Sequence, residues 1–428
     1  MAQAVAVVGG GYSGTIAAAE LAKTGVPAML IERSGRFAAG AAYGTAEAAH
    51  LLNVRARNMS AFACADDHFC LWVERQGLGD GETFVPRRDY HRYLKQILDQ
   101  AVATGMVRLV GADAVSIEDS GLVLASGEHL PCRAIILAGG NYPSRLPAFL
   151  RGPNAVESPW GPDGALALKQ LAAQCADILL LGTGLTMVDV ALSLADAGFQ
   201  GRMIATSRRG LVPRPHEQPG AEPLPAPALG SLGEMMRNLR VAAGAKGWRA
   251  AVDSLRPVSQ SLWLSLSDTE KRRFLRHLRP WWDVHRHRIA PPVAARIAAL
   301  QDEGRLEIVP GRIGRFGAGE VTIALRGGVG EARRQIGGIV NCTGPEGAIG
   351  RVEDPLIRDL LASGRARPDS LGIGLDVDRA SRVIGASGTA SGRLYAIGPL
   401  TRGIFWEIVA VPNIRDQARG LAQTVAAC

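Results

Sequence analysis

A glycine-rich turn near the start of the chain is the feature that most constrains its fold. Three glycines stand in the spacing Gly-x-Gly-x-x-Gly directly after a short apolar run: Gly9, Gly11 and Gly14. The apolar run 4–8 before them and the helical pattern after them predict a strand, a tight turn and a helix. A second apolar run, 27–31, ends at Glu32, whose carboxylate can accept hydrogen bonds from ribose hydroxyls. This combination predicts a β-α-β unit that binds a dinucleotide.

A second unit of the same kind follows in the middle of the chain. The apolar run 178–181 leads into Gly182 and Gly184, and a helical pattern then extends to residue 197. Met187 stands where the third glycine would be, so helix and strand are expected to lie slightly further apart. Two such units in one chain predict two dinucleotide sites.

The residues at the end of the second strand differ between the two units. Glu32 would repel a 2′-phosphate, whereas Arg208 and Arg209 would attract one through charge-assisted hydrogen bonds. We therefore predict FAD at the first site and NADPH at the second. The two arginines also fit a solvated strand end.

The order of these units predicts an α/β fold with two Rossmann-like dinucleotide-binding domains and a helical insertion. The FAD-binding domain is predicted to be discontinuous, with residues 1–150 and 336–428. The NAD(P)H-binding domain is predicted over 165–335, including a helical segment over 231–300. Residues 217–230, rich in proline and alanine, are predicted to be a linker. The segment 107–124 is predicted to form the strands of a β-meander.

Composition and cysteine usage narrow the function classes. The net charge of +8 and pI near 9.5 fit anionic ligands, and two nucleotide sites explain this charge without nucleic acid. The six cysteines form no CxxC pair and no Cys/His metal spacing, which predicts no metal site and a reduced, cytoplasmic protein. No run reaches the ~18 apolar residues of a membrane span, so no membrane partner is expected. The sequence carries no signal for an oligomeric state.

Seven further segments carry a family resemblance, and they extend over nearly the whole chain: 40–45, 50–54, 84–94, 182–189, 207–213, 282–288 and 406–418. With these segments the chain resembles the bacterial FAD-NAD(P)-binding family of flavoproteins. It is similar at greater distance to N-hydroxylating and Baeyer–Villiger flavin monooxygenases. The resemblance implies FAD binding and does not supply a substrate.

Three departures from related flavoproteins limit the chemistry. The histidine of the Baeyer–Villiger fingerprint is missing at 156–160, which argues against that reaction. Flavin disulfide reductases have a C-x4-C pair where this chain has 40–45, so thiol-disulfide catalysis is not expected. Gly398 and Pro399 stand where relatives have Gly-Asp, so backbone amides and the helix after Pro412 are expected to contact the flavin.

The predicted cofactor ligands combine the two motifs with the resemblance. For FAD they are Gly9, Gly11, Tyr12, Ser13, Gly14, Glu32, Arg33, Asn53, Ala138, Gly139, Gly398 and Pro399. For NADPH they are Gly182, Thr183, Gly184, Leu185, Thr186, Ser207, Arg208 and Arg209.

Five residues are candidates for catalysis, each with a structural alternative. Asn53 resembles the segment that passes the flavin ring, and it also fits a turn or helix cap. His287 and Arg288 could bind a substrate carboxylate or phosphate, but an amphipathic helix explains them as well. Trp406 could shape the substrate cavity or cover the flavin, and Glu407 could act as a base.

Three functions remain compatible with these patterns. The preferred one is a monooxygenase in which NADPH reduces FAD and dioxygen then oxidises a small substrate, such as an amine. The second is an NAD(P)H-dependent reductase or dehydrogenase that uses an organic electron acceptor. The third is a flavin- or nucleotide-binding protein without catalysis.

Overall fold

The computed structural model describes residues 4–45, 47–217, 224–226 and 230–427. Most of the predicted linker 217–230 lies outside these residues. The described strands, in chain order, are β1 (Val5–Val8), β2 (Ala28–Ile31), β3 (Val107–Val110), β4 (Ala114–Glu118), β5 (Gly121–Leu124), β6 (His129–Pro131), β7 (Ala134–Leu137), β8 (Ala155–Val156), β9 (Asp177–Leu181), β10 (Arg202–Ser207), β11 (Leu306–Gly317), β12 (Glu320–Leu325), β13 (Glu331–Gln335), β14 (Gly338–Asn341), β15 (Arg382–Ile384) and β16 (Ala390–Ala396).

The α-helices connect and cover these strands. In chain order they are α1 (Tyr12–Lys23), α2 (Gly40–Tyr43), α3 (His68–Arg75), α4 (Arg87–Ala103), α5 (Gly161–Gln174), α6 (Leu185–Asp196), α7 (Leu232–Lys246), α8 (Trp248–Asp253), α9 (Ser259–Ser265), α10 (Asp268–Arg273), α11 (Arg279–Arg286), α12 (Pro291–Asp302), α13 (Pro355–Ala362) and α14 (Val411–Ala426). A π-helix, Phe274–Leu278, lies between α10 and α11. Among the described residues, no helix combines the length and apolarity needed to cross a membrane.

The first sheet has the strand order β15-β16-β7-β1-β2-β3, and all its pairs except β15·β16 are parallel. Its central strands are apolar without alternation because both faces are covered. Ile16 of α1 and Val425 of α14 are fully buried on one face, and Leu360 of α13 is fully buried on the other. The sheet is the first predicted dinucleotide fold.

The second sheet has the order β13-β12-β11-β10-β9-β14-β8. Strands β8, β14, β9, β10 and the start of β11 run parallel, and β11, β12 and β13 form an antiparallel extension. Helices α5, α6 and α12 contribute to the core on one face. The two parallel sheets confirm the predicted α/β class with two Rossmann-like folds.

Two strands differ from the expected positions. Residues 107–124 were expected to form a β-meander, but β3 pairs in parallel with β2 in the first sheet, since α4 crosses over to return the chain there. The meander consists of β4, β5 and β6. Strand β14 lies in the second sheet between β9 and β8, although the boundary predicted at 336 assigned it to the first. All four residues of β14 are buried, as expected for an inner strand of a sheet that is covered on both faces.

The helical segment α7–α11 contacts the loop that follows β16. Trp263 Nε1 donates to the carbonyl oxygen of Gly403 at 2.8 Å, and Gln260 Nε2 donates to that of Ile404 at 2.8 Å. The helical segment therefore lies against the loop that begins with Gly398 and Pro399, the predicted flavin contacts, although it follows the second glycine turn in the sequence.

Candidate functional site

The first glycine turn connects β1 to α1 at the carboxyl end of the first sheet. Gly9 has φ +110°, and a Cβ atom at Gly14 would lie 1.8 Å from the carbonyl oxygen of Gly9. A side chain at position 14 would therefore push helix and strand apart. At Gly11, the N-cap of α1, the nearest atom to an added Cβ is the Gly40 Cα at 3.5 Å. The turn thus combines tight packing at Gly14 with accessible backbone at Gly11, as a phosphate site requires.

Glu32 lies beside this turn. Its Oε2 accepts the Gly10 N–H at 2.8 Å, and its Oε1 accepts the Ser34 N–H at 3.0 Å. Oε1 also accepts the Ser34 hydroxyl at 2.8 Å, whereas Oε2 retains a second lone pair for a ribose hydroxyl, so the residue fits the predicted role through Oε2. The guanidinium of Arg33, in contrast, is engaged by Asp354 and lies 3.5 Å from Asp113. Arg33 therefore stabilises the contact between β2 and the N-cap of α13.

The other residues predicted for FAD lie at neighbouring strand ends. Ala138 and Gly139 follow β7, and Gly398 and Pro399 follow β16, so both pairs meet the first turn at one edge of the sheet. A Cβ atom at Gly398 would lie 2.5 Å from Ser13 Oγ. The adjoining helix α14 begins at Val411, whose carbonyl oxygen accepts the Tyr12 hydroxyl at 3.3 Å. These residues therefore pack closely around the first glycine turn.

Asn53 is held through its backbone. Its carbonyl oxygen accepts a hydrogen bond from His216 Nε2 at 3.0 Å. Within the described parts of the chain, the Asn53 side-chain amide makes no hydrogen bond, so it is available to a ligand. His216 is buried against Phe84, with ring centroids 5.2 Å apart.

His216 makes the stability of this region dependent on pH. Burial lowers the pKa of His216 from 6.5 to about 4, assisted by nearby arginines and opposed by the Asn53 hydrogen bond. The unfolded chain binds this proton near pH 6.5 and the folded chain only near pH 4, so stability is lost as pH falls between these values. From pH 7 to pH 4, the unfolding free energy of wild type should fall by up to roughly 3 kcal/mol more than that of His216→Gln, which lacks the histidine. Urea unfolding at several pH values measures it, with exposed His129→Gln as control. A difference independent of pH would contradict the prediction.

The second glycine turn connects β9 to α6 with similar geometry. Gly182 has φ +122°, and a Cβ atom there would lie 2.3 Å from the carbonyl oxygen of Cys342. Thr183 Oγ1 lies 2.8 Å from Ser207 Oγ and donates to the carbonyl oxygen of Leu211 at 2.6 Å. Met187 is fully buried in the core under α6, so its side chain fills the space that a third glycine would leave.

The arginines at the end of β10 line a cavity of about 550 Å³. Further basic side chains from three other elements also line it: Arg276, His277, Arg312 and Arg326. In the part of the chain that the structure describes, none of the five arginines of this basic cavity forms an ion pair with a carboxylate. Unpaired guanidinium groups around one space attract phosphate. The sequence alone did not indicate these four residues, because they are distant from Arg208 in the chain and share no motif with it.

The helix after the second turn is fixed to segments next to the first. Asp189 of α6 forms a largely buried ion pair with Arg87 of α4, with an Nη1–Oδ2 distance of 2.9 Å. The buried His50 has its Nε2 atom 2.9 Å from Ser193 Oγ of α6, and its Nδ1 atom 2.8 Å from Thr45 Oγ1. The segments 40–45, 50–54 and 84–94 thus connect the two dinucleotide folds.

Glu407 lies in the loop between β16 and α14 and is buried. Its Oε1 accepts Trp282 Nε1–H at 2.9 Å, and its Oε2 lies 2.9 Å from Arg286 Nε. Its backbone has φ +61°, uncommon for a non-glycine residue and more frequent at functional sites. Burial opposes ionisation, but Arg286, His287 and the Trp282 N–H together lower the pKa of Glu407. Arg286 gave no sequence signal, because its partner is distant in the chain.

The remaining candidates have different surroundings. His287 Nε2 lies 3.9 Å from Glu407 Oε1, and burial lowers the pKa of this histidine. Trp406 stacks on Trp263 at a centroid distance of 4.5 Å. The guanidinium of Arg288 is buried and donates to both oxygens of Asp253 at 2.9 Å, so it is not free for a substrate anion. Asn53, His287, Trp406 and Glu407 remain candidates, and Arg288 is better explained as structural.

Two glycine turns at the carboxyl ends of two parallel sheets define a protein with two dinucleotide-binding folds. Residues 6–142 match the profile of the FAD-NAD(P)-binding family. This match confirms the resemblance seen in the sequence and the prediction of FAD and a nicotinamide dinucleotide as cofactors. A sequence comparison with curated proteins finds no match.

Solved structures share the whole fold at low sequence identity. The ornithine hydroxylase of Pseudomonas aeruginosa has a TM-score of 0.65 and 15% identity, over 100% of this chain and 99% of that chain. The L-lysine 6-monooxygenase of Pseudomonas syringae has a TM-score of 0.65 and 17% identity, over 98% of each chain. The ornithine N-hydroxylase of Kutzneria sp. 744, in a structure with reduced FAD, NADP⁺ and L-ornithine, has a TM-score of 0.65, 16% identity and 99% coverage of each chain. The fold of this chain is therefore that of two-dinucleotide flavin oxidoreductases.

Proposed function

We propose that the protein is an NADPH-dependent flavin monooxygenase that transfers one oxygen atom of O₂ to a small substrate and releases the other as water. The observation that carries this proposal is the attachment of α6, which begins at the second glycine turn, to the Arg87 and His50 segments of the FAD side. Hydride transfer needs the two cofactors close together, and this attachment fixes their binding folds to each other. The N-hydroxylating neighbours support an amine as one substrate class. The free thiols of the described cysteines support a cytoplasmic location.

The residues divide the work as follows. FAD, when bound, supplies hydride acceptance and the reaction with dioxygen. The backbone amides from Gly11 onward and the Glu32 carboxylate would hold its pyrophosphate and ribose. The Asn53 amide and the N-terminus of α14 would contact its flavin ring. Glu407 Oε1, ionised at neutral pH and next to His287, receives a proton from the substrate.

The test is oxygen transfer itself. Purified protein reduced anaerobically with NADPH is mixed with ¹⁸O₂ and a panel of small amines and aromatic acids, and products are analysed by mass spectrometry. We expect one ¹⁸O atom in the product for each NADPH oxidised. Release of all reducing equivalents as hydrogen peroxide with every substrate, or turnover only with an anaerobic organic acceptor, would overturn the proposal and favour a reductase.

The basic cavity predicts the choice of nicotinamide cofactor. We expect Arg208→Ala to weaken NADPH binding roughly 10- to 150-fold and to leave NADH binding unchanged, because only NADPH has the 2′-phosphate. Anaerobic titration of the flavin spectrum with each nucleotide measures both affinities. Arg315→Ala is the control, since Arg315 is exposed on β11 outside the cavity. Equal losses for NADPH and NADH would contradict the phosphate-binding role.

A further inference from the structure

A second cavity lies within the helical segment and differs in character from the basic cavity. It has a volume of about 350 Å³ and lies between α7, α8, α11 and the π-helix. Its walls are mainly aromatic and aliphatic, with contributions from Trp248, Phe274, Trp281, Trp282, Leu239 and Val252. Apolar walls with few polar groups, enclosing at least ~300 Å³, are typical of small-molecule sites. We call this space the aromatic cavity.

The charges at the aromatic cavity favour one class of ligand. None of the described residues that line it has a carboxylate, and Arg240 of α7 is exposed at its rim. Among the described residues, Arg240 forms no ion pair. Indole rings attract cations, but the Arg240 guanidinium would repel an ammonium group and would pair with a carboxylate. The aromatic rings favour a flat apolar body through offset or edge-to-face contacts.

The position of the cavity connects it to the candidate reaction site. Trp282, in its wall, donates to Glu407 at 2.9 Å. Phe274, also in its wall, meets Trp406 edge to face at a centroid distance of 5.4 Å. Trp406 and Glu407 follow Gly398 and Pro399, the predicted flavin contacts. A ligand in the cavity would therefore contact Trp282 and Phe274, the side chains that meet Glu407 and Trp406.

We propose that the aromatic cavity binds the substrate, and that the substrate is a one- or two-ring aromatic molecule with a carboxylate. This inference rests on the proposed function and names its substrate class. It departs from the aliphatic amino acids named for the structural neighbours, because Arg240 would repel the second ammonium group of such a zwitterion and no described residue of the walls offers it a carboxylate.

The test measures binding without turnover. Oxidised, full-length protein is titrated calorimetrically with 1-naphthoate, with the neutral analogue 1-naphthalenemethanol and with L-ornithine. We expect 1-naphthoate to bind, the neutral analogue to bind more weakly and ornithine not to bind. Ala243→Phe, which fills the cavity from a half-exposed position on α7, should weaken 1-naphthoate at least roughly tenfold. Arg240→Ala should weaken 1-naphthoate and leave the neutral analogue unchanged, and exposed Arg237→Ala is its control.

The outcomes separate this inference from the proposed function. Binding of ornithine in place of 1-naphthoate, or 1-naphthoate affinity unchanged by Ala243→Phe in a variant with wild-type circular dichroism, would overturn the inference. A dimer in sedimentation velocity that Ala243→Phe dissociates would also overturn it, since a second chain would then cover the cavity. Binding of 1-naphthoate without ¹⁸O transfer would overturn the monooxygenase and leave the binding site in place.

Discussion

Replacing Arg288 by alanine should lower the free energy of unfolding by about 3 kcal/mol and leave the affinity for small anions unchanged. The guanidinium is only 3% exposed and bonds both oxygens of Asp253, so its removal leaves a buried carboxylate with fewer partners. Arg256 Nε, 3.0 Å from the same carboxylate, keeps it partly paired. The loss should therefore fall at the lower end of the ~3–5 kcal/mol range for broken buried ion pairs. Urea denaturation followed by circular dichroism measures it.

An exposed ion pair provides the matched control. Arg296 and Asp196 have side chains about two-fifths exposed, so Arg296→Ala should cost at most ~1 kcal/mol. Equal losses for Arg288→Ala and Arg296→Ala, together with a raised KM, would instead support direct substrate binding by Arg288.

Replacing Gly14 by alanine should abolish stoichiometric FAD binding and destabilise the fold by at least ~3 kcal/mol. The added Cβ atom would lie 1.8 Å from the carbonyl oxygen of Gly9, and this contact is with backbone that a rotamer change cannot move. Helix α1 would have to shift from β1, which moves the helix N-terminus away from the pyrophosphate. The flavin-to-protein absorbance ratio and thermal unfolding of the purified variant measure both effects.

Gly11→Ala separates packing from ligand contact. Its Cβ atom would have 3.5 Å to the nearest neighbour, so we expect normal unfolding together with weakened FAD binding. If both variants unfolded like wild type, the stability of the fold would not depend on the close packing at Gly14. If Gly11→Ala retained full flavin content, the phosphate would not approach the backbone at that position.

The features that the sequence predicted well are those encoded by neighbouring residues. The two turns, the strands before them and Glu32 lie within short segments, and glycine is required at Gly9 and Gly14 by local backbone geometry. The meander was misplaced because the segment 107–124 contains strands of two different sheets. The sheet to which β3 belongs depends on the crossover through α4, and the hydrophobic periodicity of the sequence does not encode this crossover.

The features that the sequence did not predict arise from distant residues. Arg276, Arg312 and Arg326 join Arg208 only because the helical segment and the β11–β12 hairpin fold over the end of β10. Arg288 was predicted to bind substrate because the sequence does not indicate its ion pair with Asp253, which lies 35 positions earlier. The tryptophans of the helical segment were visible, but the cavity they enclose depends on the packing of four short helical elements.

The π-helix Phe274–Leu278 lines both the basic cavity and the aromatic cavity. Arg276 and His277 face the basic cavity, whereas Phe274 and Leu278 face the aromatic cavity. Because this wall is shared, a displacement that accommodates a phosphate on one side also reshapes the other. Thermodynamic linkage is reciprocal, so any factor by which the nucleotide changes the affinity for the aromatic ligand must equal the factor in the reverse direction. We therefore expect the reductant and the substrate to change each other's affinity through the π-helix Phe274–Leu278.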